Sequence, residues 1–255
     1  MNTRTRCLAI LDMLQKQHQV KVGELADTFN TSEMTIRRDL NFLTQQYNIT
    51  RTHGGATLAQ DSVVRMISFD EAKIEHKEAK ELIARKAMEL VDFRQRIFID
   101  SGSTTRNMIN YFTDDMRNVI VTNNLTVASV ALQHRNMSVI MLGGEMLHIA
   151  GCSSGTVAEE QMKRYQVEIA FLGAAAIGTD GKMYDGYSPE ARLKGTIFEV
   201  SKKICLMVDS TKFNCYDLHE FGSLRRVDTV ITDSGIDKDA LNLLNRYKVE
   251  VIIAK

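Results

Sequence analysis

The chain has 255 residues, 44% of them hydrophobic and 25% charged, a globular mixture that suits one or two domains at about 150 residues each. Its 32 Lys and Arg balance 32 Asp and Glu, so bulk charge does not mark a nucleic-acid binder, and any DNA affinity must come from local placement of basic groups. Residues Met1 to Arg6 are polar, no apolar run approaches the ~20 residues of a membrane helix, and Cys7, Cys152, Cys205 and Cys215 form no CxxC pair. A disulfide framework and a zinc site are thereby disfavoured, and the expectation is a cytoplasmic protein with no metal, no cofactor and no membrane partner.

In chain order, Arg4 to Gln17 places Leu8, Leu11 and Leu14 three apart, which predicts an amphipathic helix. Val22, Leu25, Ala26 and Phe29 share one face of a second helix. After a break at Asn30-Thr31, Ser32 is placed to cap a third helix, with Ile36, Leu40 and Leu43 turned inward. Ile49 to Thr52 has β character, and Gly54-Gly55 supplies a turn before Ala56 to Leu58, which reads as a hairpin or wing. Residues 59–91 read as a linker and a charged connecting helix with a solvated face. From residue 92 to 255, short apolar runs such as Ile97-Phe98-Ile99, Val119-Ile120-Val121, Val139 to Leu142, Ile169 to Leu172 and Ile204 to Val208 alternate with helical patterns. That alternation predicts an α/β domain with a mostly parallel, helix-flanked sheet. The expected organisation is thus a winged helix-turn-helix over 1–58, a linker and connecting helix over 59–91, and an α/β domain over 92–255.

The third helix carries the DNA-reading candidates. With Ile36 and Leu40 buried, Thr35, Arg37, Arg38 and Asn41 project sideways or outward. Arginine can bond a guanine edge in bidentate fashion or neutralise a phosphate. Ser32 and Thr35 are short enough for close approach at the helix N-terminus, whose partial positive charge suits a phosphate. Arg51 and His53 lie on the wing, within reach of the backbone or minor groove. Two adjacent arginines alone would fit a solvated face; a capped third helix followed directly by a basic Gly-Gly hairpin favours double-stranded DNA as the partner.

Two motifs here, "SEMTIRRDLNFL" from Ser32 to Leu43 and "RTHGGATL" from Arg51 to Leu58, resemble the DeoR family of bacterial transcriptional regulators. The resemblance implies a winged helix-turn-helix centred on Val20 to Asp39, with the third helix in the major groove, and a repressor of a sugar-metabolism operon. Gln45 to Asn48 lacks the glycine often found before the wing, a departure expected to alter the turn and not the fold.

The second domain opens with Asp100-Ser101-Gly102-Ser103-Thr104-Thr105 after a strand and before a helix. Such a loop, with backbone N–H groups and hydroxyls at a helix head, suits an anion. Asn123 and Asn124, Gly143 and Gly144, and Asp209 to Lys212 follow other strands, and α/β sheets bind ligands at those carboxyl ends. Glu190 and Lys194 share a helix face, either as a surface salt bridge or as ligand contacts. Ser188 is read as the cap of that helix and Pro189 as its first turn. "DSGSTT", "TNN", "LGGE", "AFLGAAAIGTDG", "PEARLK" and "VDSTKF" stand in the order of the DeoR sensor domain, which is similar in fold to ribose-5-phosphate isomerases. The resemblance implies a phosphorylated sugar as inducer, and carries over as contacts onto Asp100 to Thr105, Asn123, Asn124, Gly143, Gly144 and Lys212; Lys194 joins them through the shared helix face. Cys152 stands where a hydroxyl residue is expected, which puts a polar contact there in question.

An isomerase-like enzyme with an accessory DNA-binding module is the competing class. Isomerisation needs a positioned general base, and Leu172 to Gly178 holds no carboxylate, so no catalytic residues are assigned. An activator remains the alternative to a repressor, and a homo-oligomer is expected on repeated or palindromic half-sites.

Overall fold

The structure, a computed structural model, describes residues 6, 7, 9, 10, 13, 14, 17, 19–46, 49–52, 54–58, 76–147 and 150–255. The chain falls into two compact units, Met1–Ser68 and Phe69–Lys255, each with a core of its own.

In the first unit the described residues between 6 and 17 are helical. Leu8 and Leu11 of the predicted stripe lie outside the described residues. Strand β1 (Gln19–Lys21) leads into helix α1 (Val22–Thr28), helix α2 (Glu33–Gln46), and strands β2 (Ile49–Thr52) and β3 (Gly55–Leu58). Cys7, Ile10 and Leu14 pack with Val22, Leu25, Ile36, Leu40, Leu43 and Ala56, so the helical spacing predicts the inward faces of α1 and α2, and of the first stripe Leu14 is buried. Strand β1 was not expected, because three residues give too short a stretch for periodicity to register. It pairs antiparallel with β3, Val20 opposite Ala56, and turns the hairpin into a three-stranded sheet of order β1-β3-β2. Asp39, which the sequence shows only as a charge, is 2% exposed and receives a bidentate pair from Arg6, Nε at 2.5 Å and Nη2 at 3.2 Å. This buried ion pair ties the first helix to α2.

The second unit begins with α3 (Lys77–Ala87), continued by a 3-10 turn over Met88–Leu90. Strand β4 (Arg96–Ile99), a 3-10 helix (Thr105–Tyr111), β5 (Val119–Thr122), α4 (Leu125–Ala131) and β6 (Ser138–Met141) follow. A hairpin of β7 (Glu145–Leu147) and β8 (Cys152–Ser154) precedes α5 (Thr156–Met162) and β9 (Val167–Leu172). Next come β10 (Ala176–Ile177), β11 (Lys182–Asp185), α6 (Ser188–Val200) and β12 (Ser201–Met207). The chain ends with β13 (His219–Ser223), β14 (Thr229–Asp233), α7 (Lys238–Arg246) and β15 (Glu250–Ala254).

Seven of these strands form one parallel sheet of order β15-β14-β12-β9-β4-β5-β6. Parallel pairing needs long crossovers, which place helices on both faces and bury both sides of each strand. This is why the strands read as continuous apolar runs. Ile97, Ile99, Phe171 and Met207 face Ile83, Ala84 and Ala87 of α3 together with Met108 and Val127. Phe98, Leu172, Leu206 and Val230 face Met162, Ile197 and Leu243 of α5, α6 and α7. Helix α3, read from sequence as part of a connecting segment, thus contributes three fully buried apolar side chains to the sheet's cover, and of its charges Lys80 is buried with them.

From β4 the chain winds outward through β5 and β6, then returns to the other side of β4 at β9 and winds the opposite way. The crevice outside the carboxyl ends of β4 and β9 is therefore a topological switch point, where open α/β sheets bind ligands. A small antiparallel sheet of order β10-β11-β13 stands beside it; these short strands did not register in the sequence. At the opposite end of the sheet, Glu168 accepts from the Arg96 backbone N–H at 2.8 Å and from Arg96 Nε at 2.9 Å. The Arg96 side-chain bonds are the largest influence holding its carboxyl down at about 2. A depressed folded-state pKa adds stability that is present above the ordinary carboxylate range and lost as pH falls through the folded value. Glu168→Gln should accordingly lower the Tm at neutral pH, with the difference from wild type closing as the solution is acidified toward pH about 2; a difference that stays constant over that range would contradict the pairing.

Candidate functional site

In the first unit, the head of α2 is built by Ser32. Its Oγ accepts from the Thr35 backbone N–H at 3.2 Å and lies 2.9 Å from Thr35 Oγ1, so the predicted cap is made and both hydroxyls sit together at the helix start. Arg37 is exposed and reaches back to Glu33 at 3.1 Å, an exposed pair one turn apart that a phosphate can displace at little cost. Arg38 and Asn41 are exposed, and Arg38 has no ion pair among the described residues. Met34, which sequence reasoning passed over, is 76% exposed in the first turn. A large apolar side chain left in solvent on a helix otherwise turned inward by periodicity is the signal that marks it.

The wing lies against this helix. Arg51, on β2, is half-buried, and its Nη1 has no partner among the described residues. Burial and then the charge of Arg37 lower its pKa from the ordinary value. His53 lies outside the described residues. Gly55 owes its place to a close approach: a Cβ there would fall 1.9 Å from the Val20 carbonyl oxygen, so β1 and β3 pair only around glycine. The sequence located the glycine; its reason, pressed against an unexpected strand, is tertiary.

In the second unit the candidate residues gather on the carboxyl edge of the sheet. Asp100 follows β4 and is 2% exposed; its Oδ2 accepts from the Gly173 backbone N–H at 3.0 Å, which joins the loops after β4 and β9 at the switch point. Lys194, from α6, is 5% exposed and lies 2.7 Å from Asp185 Oδ2, 3.3 Å from Asp100 Oδ2 and 3.0 Å from the Gly173 carbonyl. Burial alone would lower its pKa, but the charges of Asp100, Asp185 and Glu190 outweigh burial and raise it. Two of the three N–H donors of the ammonium bond protein acceptors, Asp185 Oδ2 and the Gly173 carbonyl, and Asp100 is an ion-pair partner at 3.3 Å. The surface salt bridge weighed from sequence is therefore not what forms: Lys194 is the centre of a buried network, and it positions the loops around it.

Glu190 lies one turn earlier on α6, half-buried. Its Oε1 accepts from Ser101 Oγ at 2.8 Å and from Cys152 Sγ at 3.0 Å. Burial pushes the Glu190 carboxyl up, against the charge of Lys194. Burial first, then Glu190, pushes the Cys152 thiol up, so it remains a thiol and donates. Cys152 thus makes the polar contact that its departure from a hydroxyl residue had put in question. Ser188 is not the cap expected: Tyr187 stands at the N-cap without a side-chain bond, Ser188 is the first helical residue, and its hydroxyl accepts from Arg192 Nη1 at 2.9 Å.

The other candidates divide between scaffold and open groups. Thr105 Oγ1 donates within its own loop, 3.0 Å from each of the Asp100 and Gly102 carbonyls, and the helix it opens is 3-10. Asn124 caps α4 by accepting from the Val127 N–H at 3.0 Å. The Gly143 N–H donates to Gln161 Oε1 at 2.7 Å. Gly144, with φ +135, sits where a Cβ would be 2.5 Å from the Ser154 carbonyl. These residues shape the rim. Gly102 and Ser103 are half-buried beside it and Thr104 is buried. Asn123 is 1% exposed; its Nδ2 donates to the Ser153 carbonyl at 3.0 Å and its Oδ1 has no partner among the described residues. Lys212, after β12, is half-buried with no ion pair among the described residues. No group of three metal-ligating side chains occurs among the described residues, and no described helix is long and apolar enough to cross a membrane.

Comparison with known proteins covers both units. Residues 6–62 match the DeoR-like helix-turn-helix domain, and residues 75–234 match the DeoR C terminal sensor domain. The putative aga operon transcriptional repressor of Escherichia coli O157:H7 is 32% identical across 98% of this chain and 94% of its own length. The glycerol-3-phosphate regulon repressor of Escherichia coli (strain K12) is 32% identical across 95% of each. The lactose phosphotransferase system repressor of Lactococcus lactis subsp. lactis is 31% identical across 97% of each. Among solved structures, ribose 5-phosphate isomerase A from Methanocaldococcus jannaschii aligns over 55% of each chain at 17% identity with a TM-score of 0.41, a likeness that carries no argument about chemistry. With both family models matched in order and full-length relatives that are regulators, the chain belongs to the DeoR family of transcriptional regulators.

Proposed function

We propose that this regulator represses an operon of sugar metabolism and is released from its operator by a phosphorylated sugar. The observation that carries the reading is the switch-point crevice of the second unit, whose loops are joined by Asp100, Gly173 and Lys194, with Glu190 and an uncommitted Lys212 on the same carboxyl edge of the sheet. Relatives named for glycerol-3-phosphate, aga and lactose regulons support it. Lys212 pairs with the effector phosphate, and the Gly102-Ser103 backbone lies alongside. Arg37, Arg38 and Asn41 read the major groove, Arg51 and His53 hold the backbone or minor groove, and Met34 meets a thymine methyl, the apolar group of that groove. The organisation is a DNA-binding domain over 1–58 and an effector domain that takes in α3 of the segment 59–91 as well as 92–255, working in the cytoplasm as a homo-oligomer on repeated half-sites.

The effector acts only through its difference in affinity for the DNA-competent and DNA-incompetent states. Arg37→Ala with Arg38→Ala should abolish specific retention of the regulator's own promoter fragments while leaving the fold intact by circular dichroism; unchanged retention would refute the recognition-helix assignment. A ligand that binds only the native state raises apparent stability, so a panel of sugar phosphates is expected to contain members that raise the Tm and release operator DNA. If none does either, the inducer reading fails.

A further inference from the structure

The carboxyl edge of the sheet has an imbalance in its hydrogen bonding. Lys194, the buried cation there, donates to the Gly173 carbonyl and to Asp185 and is ion-paired with Asp100. Apart from Lys212, which the proposed function gives to the phosphate, three open positions are acceptors. Glu190 Oε1 takes two donors, whereas Oε2 takes none among the described residues, and the side chain remains half-buried. Asn123 Oδ1, after β5, is buried and unpartnered, and its orientation is fixed because Nδ2 already donates to Ser153. Asp209 Oδ2, after β12, is buried and unpartnered as well, while Oδ1 accepts from the Thr211 N–H at 3.1 Å. A buried acceptor left unmet is costly, and a site built to bond a hydroxyl rejects an analogue that lacks it. The same three positions repel a carboxylate, which brings acceptors and charge to acceptors and charge.

Resting on the reading of this edge as the effector site, we infer that Glu190 is its specificity-determining residue. Its carboxylate receives hydroxyl donors from the effector, so the regulator takes monophosphates whose remaining groups are hydroxyls and excludes those ending in a carboxylate. Asn123 and Asp209 add acceptors along the same edge. The ligand class is therefore a sugar or polyol monophosphate, as distinct from a phosphorylated sugar acid of equal length.

The test uses the full-length protein at mildly alkaline pH and matched pairs of probes: glycerol phosphate against phosphoglycerate, and hexose phosphate against phosphogluconate, with inorganic phosphate alone as the reference. Binding is read by calorimetry and by thermal shift. For the wild type, the hydroxyl member of at least one pair should bind about tenfold or more tightly than its acid partner. In Glu190→Gln the new amide donor can serve a carboxylate, so the ratio should collapse, through gain of the acid as well as loss of the neutral ligand; Glu190→Asp should restore part of the discrimination. Equal binding of both members by the wild type overturns the inference and leaves the inducer reading standing. Unchanged discrimination in a folded Glu190→Gln protein overturns the assignment to Glu190. Binding of no pair member by the wild type overturns both. Because the wild-type ratio is measured without any substitution, a variant that fails to fold does not protect the inference.

Discussion

Lys194→Ala is expected to destabilise the second unit by about 3–5 kcal/mol, the scale on which removing one partner of a buried ion pair leaves an uncompensated charge behind. The reason lies in what remains. Asp185, 2.7 Å from the ammonium, and Asp100, 3.3 Å away, both lose their counter-charge, and the Gly173 carbonyl loses a donor. Asp100 is 2% exposed, so water cannot replace the lysine without opening the loops after β4 and β9. Urea unfolding of the effector unit, followed by intrinsic fluorescence of its tyrosines or by circular dichroism, reads the loss. Adding Asp185→Asn to the alanine variant should recover part of it, since contacting members of one network are not additive. A loss under about 1 kcal/mol would mean that Lys194 behaves as an exposed side chain, and the buried network would be refuted. Under the proposed function this lysine underlies the effector without contacting it, so its loss should weaken every sugar phosphate alike, whereas Glu190→Gln should change their ratio.

The two glycines of the wing should behave as opposites. A Cβ on Gly55 would lie 1.9 Å from the Val20 carbonyl oxygen and 2.9 Å from the Val20 carbonyl carbon, whereas a Cβ on Gly54 meets nothing within 4 Å. Backbone cannot swing aside as a long side chain can, so Gly55→Ala must part β3 from β1. Overpacking of this kind costs roughly 1–3 kcal/mol, and here it also moves β2, which carries Arg51. Operator affinity should fall about tenfold or more, an effect of roughly 1.4 kcal/mol, while Gly54→Ala stays close to wild type. Titration of a labelled operator fragment with both variants decides the point. Equal effects of the two substitutions would remove the close approach as the reason for Gly55.

Much of this protein is legible in one dimension. Helical spacing identified the inward faces of α1 and α2, because Val22, Leu25, Ile36 and Leu40 repeat every three or four residues. Ser32 was readable as a cap because capping is a local bond between neighbours in the chain. The α/β alternation and the loops after each strand were readable because a strand buried on both faces leaves a continuous apolar run. What stayed hidden depends on residues far apart in sequence. Strand β1 exists because β3 lies beside it; three residues have no pattern of their own. Helix α3 carries enough surface charge to look like a connector, and only the sheet it covers shows Ile83, Ala84 and Ala87 to be core.

The same division runs through the site. The sequence by itself determined which loops follow the strands at the carboxyl edge, and it placed Glu190 and Lys194 on one helix face. It did not decide what that pair does. Strand order β9-β4 brings Gly173 to Asp100 across 73 positions of sequence, and the unanticipated hairpins deliver Asp185 and Cys152 to opposite ends of the helix pair. Charge meaning follows from burial: the same lysine on a surface would be a weak ion-pair partner, and buried among Asp100, Asp185 and the Gly173 carbonyl it becomes a structural cation, while one oxygen of Glu190 stays open. Spacing along a chain sets which residues share a face, but only packing sets the dielectric around them and which of their hydrogen-bonding groups remain open.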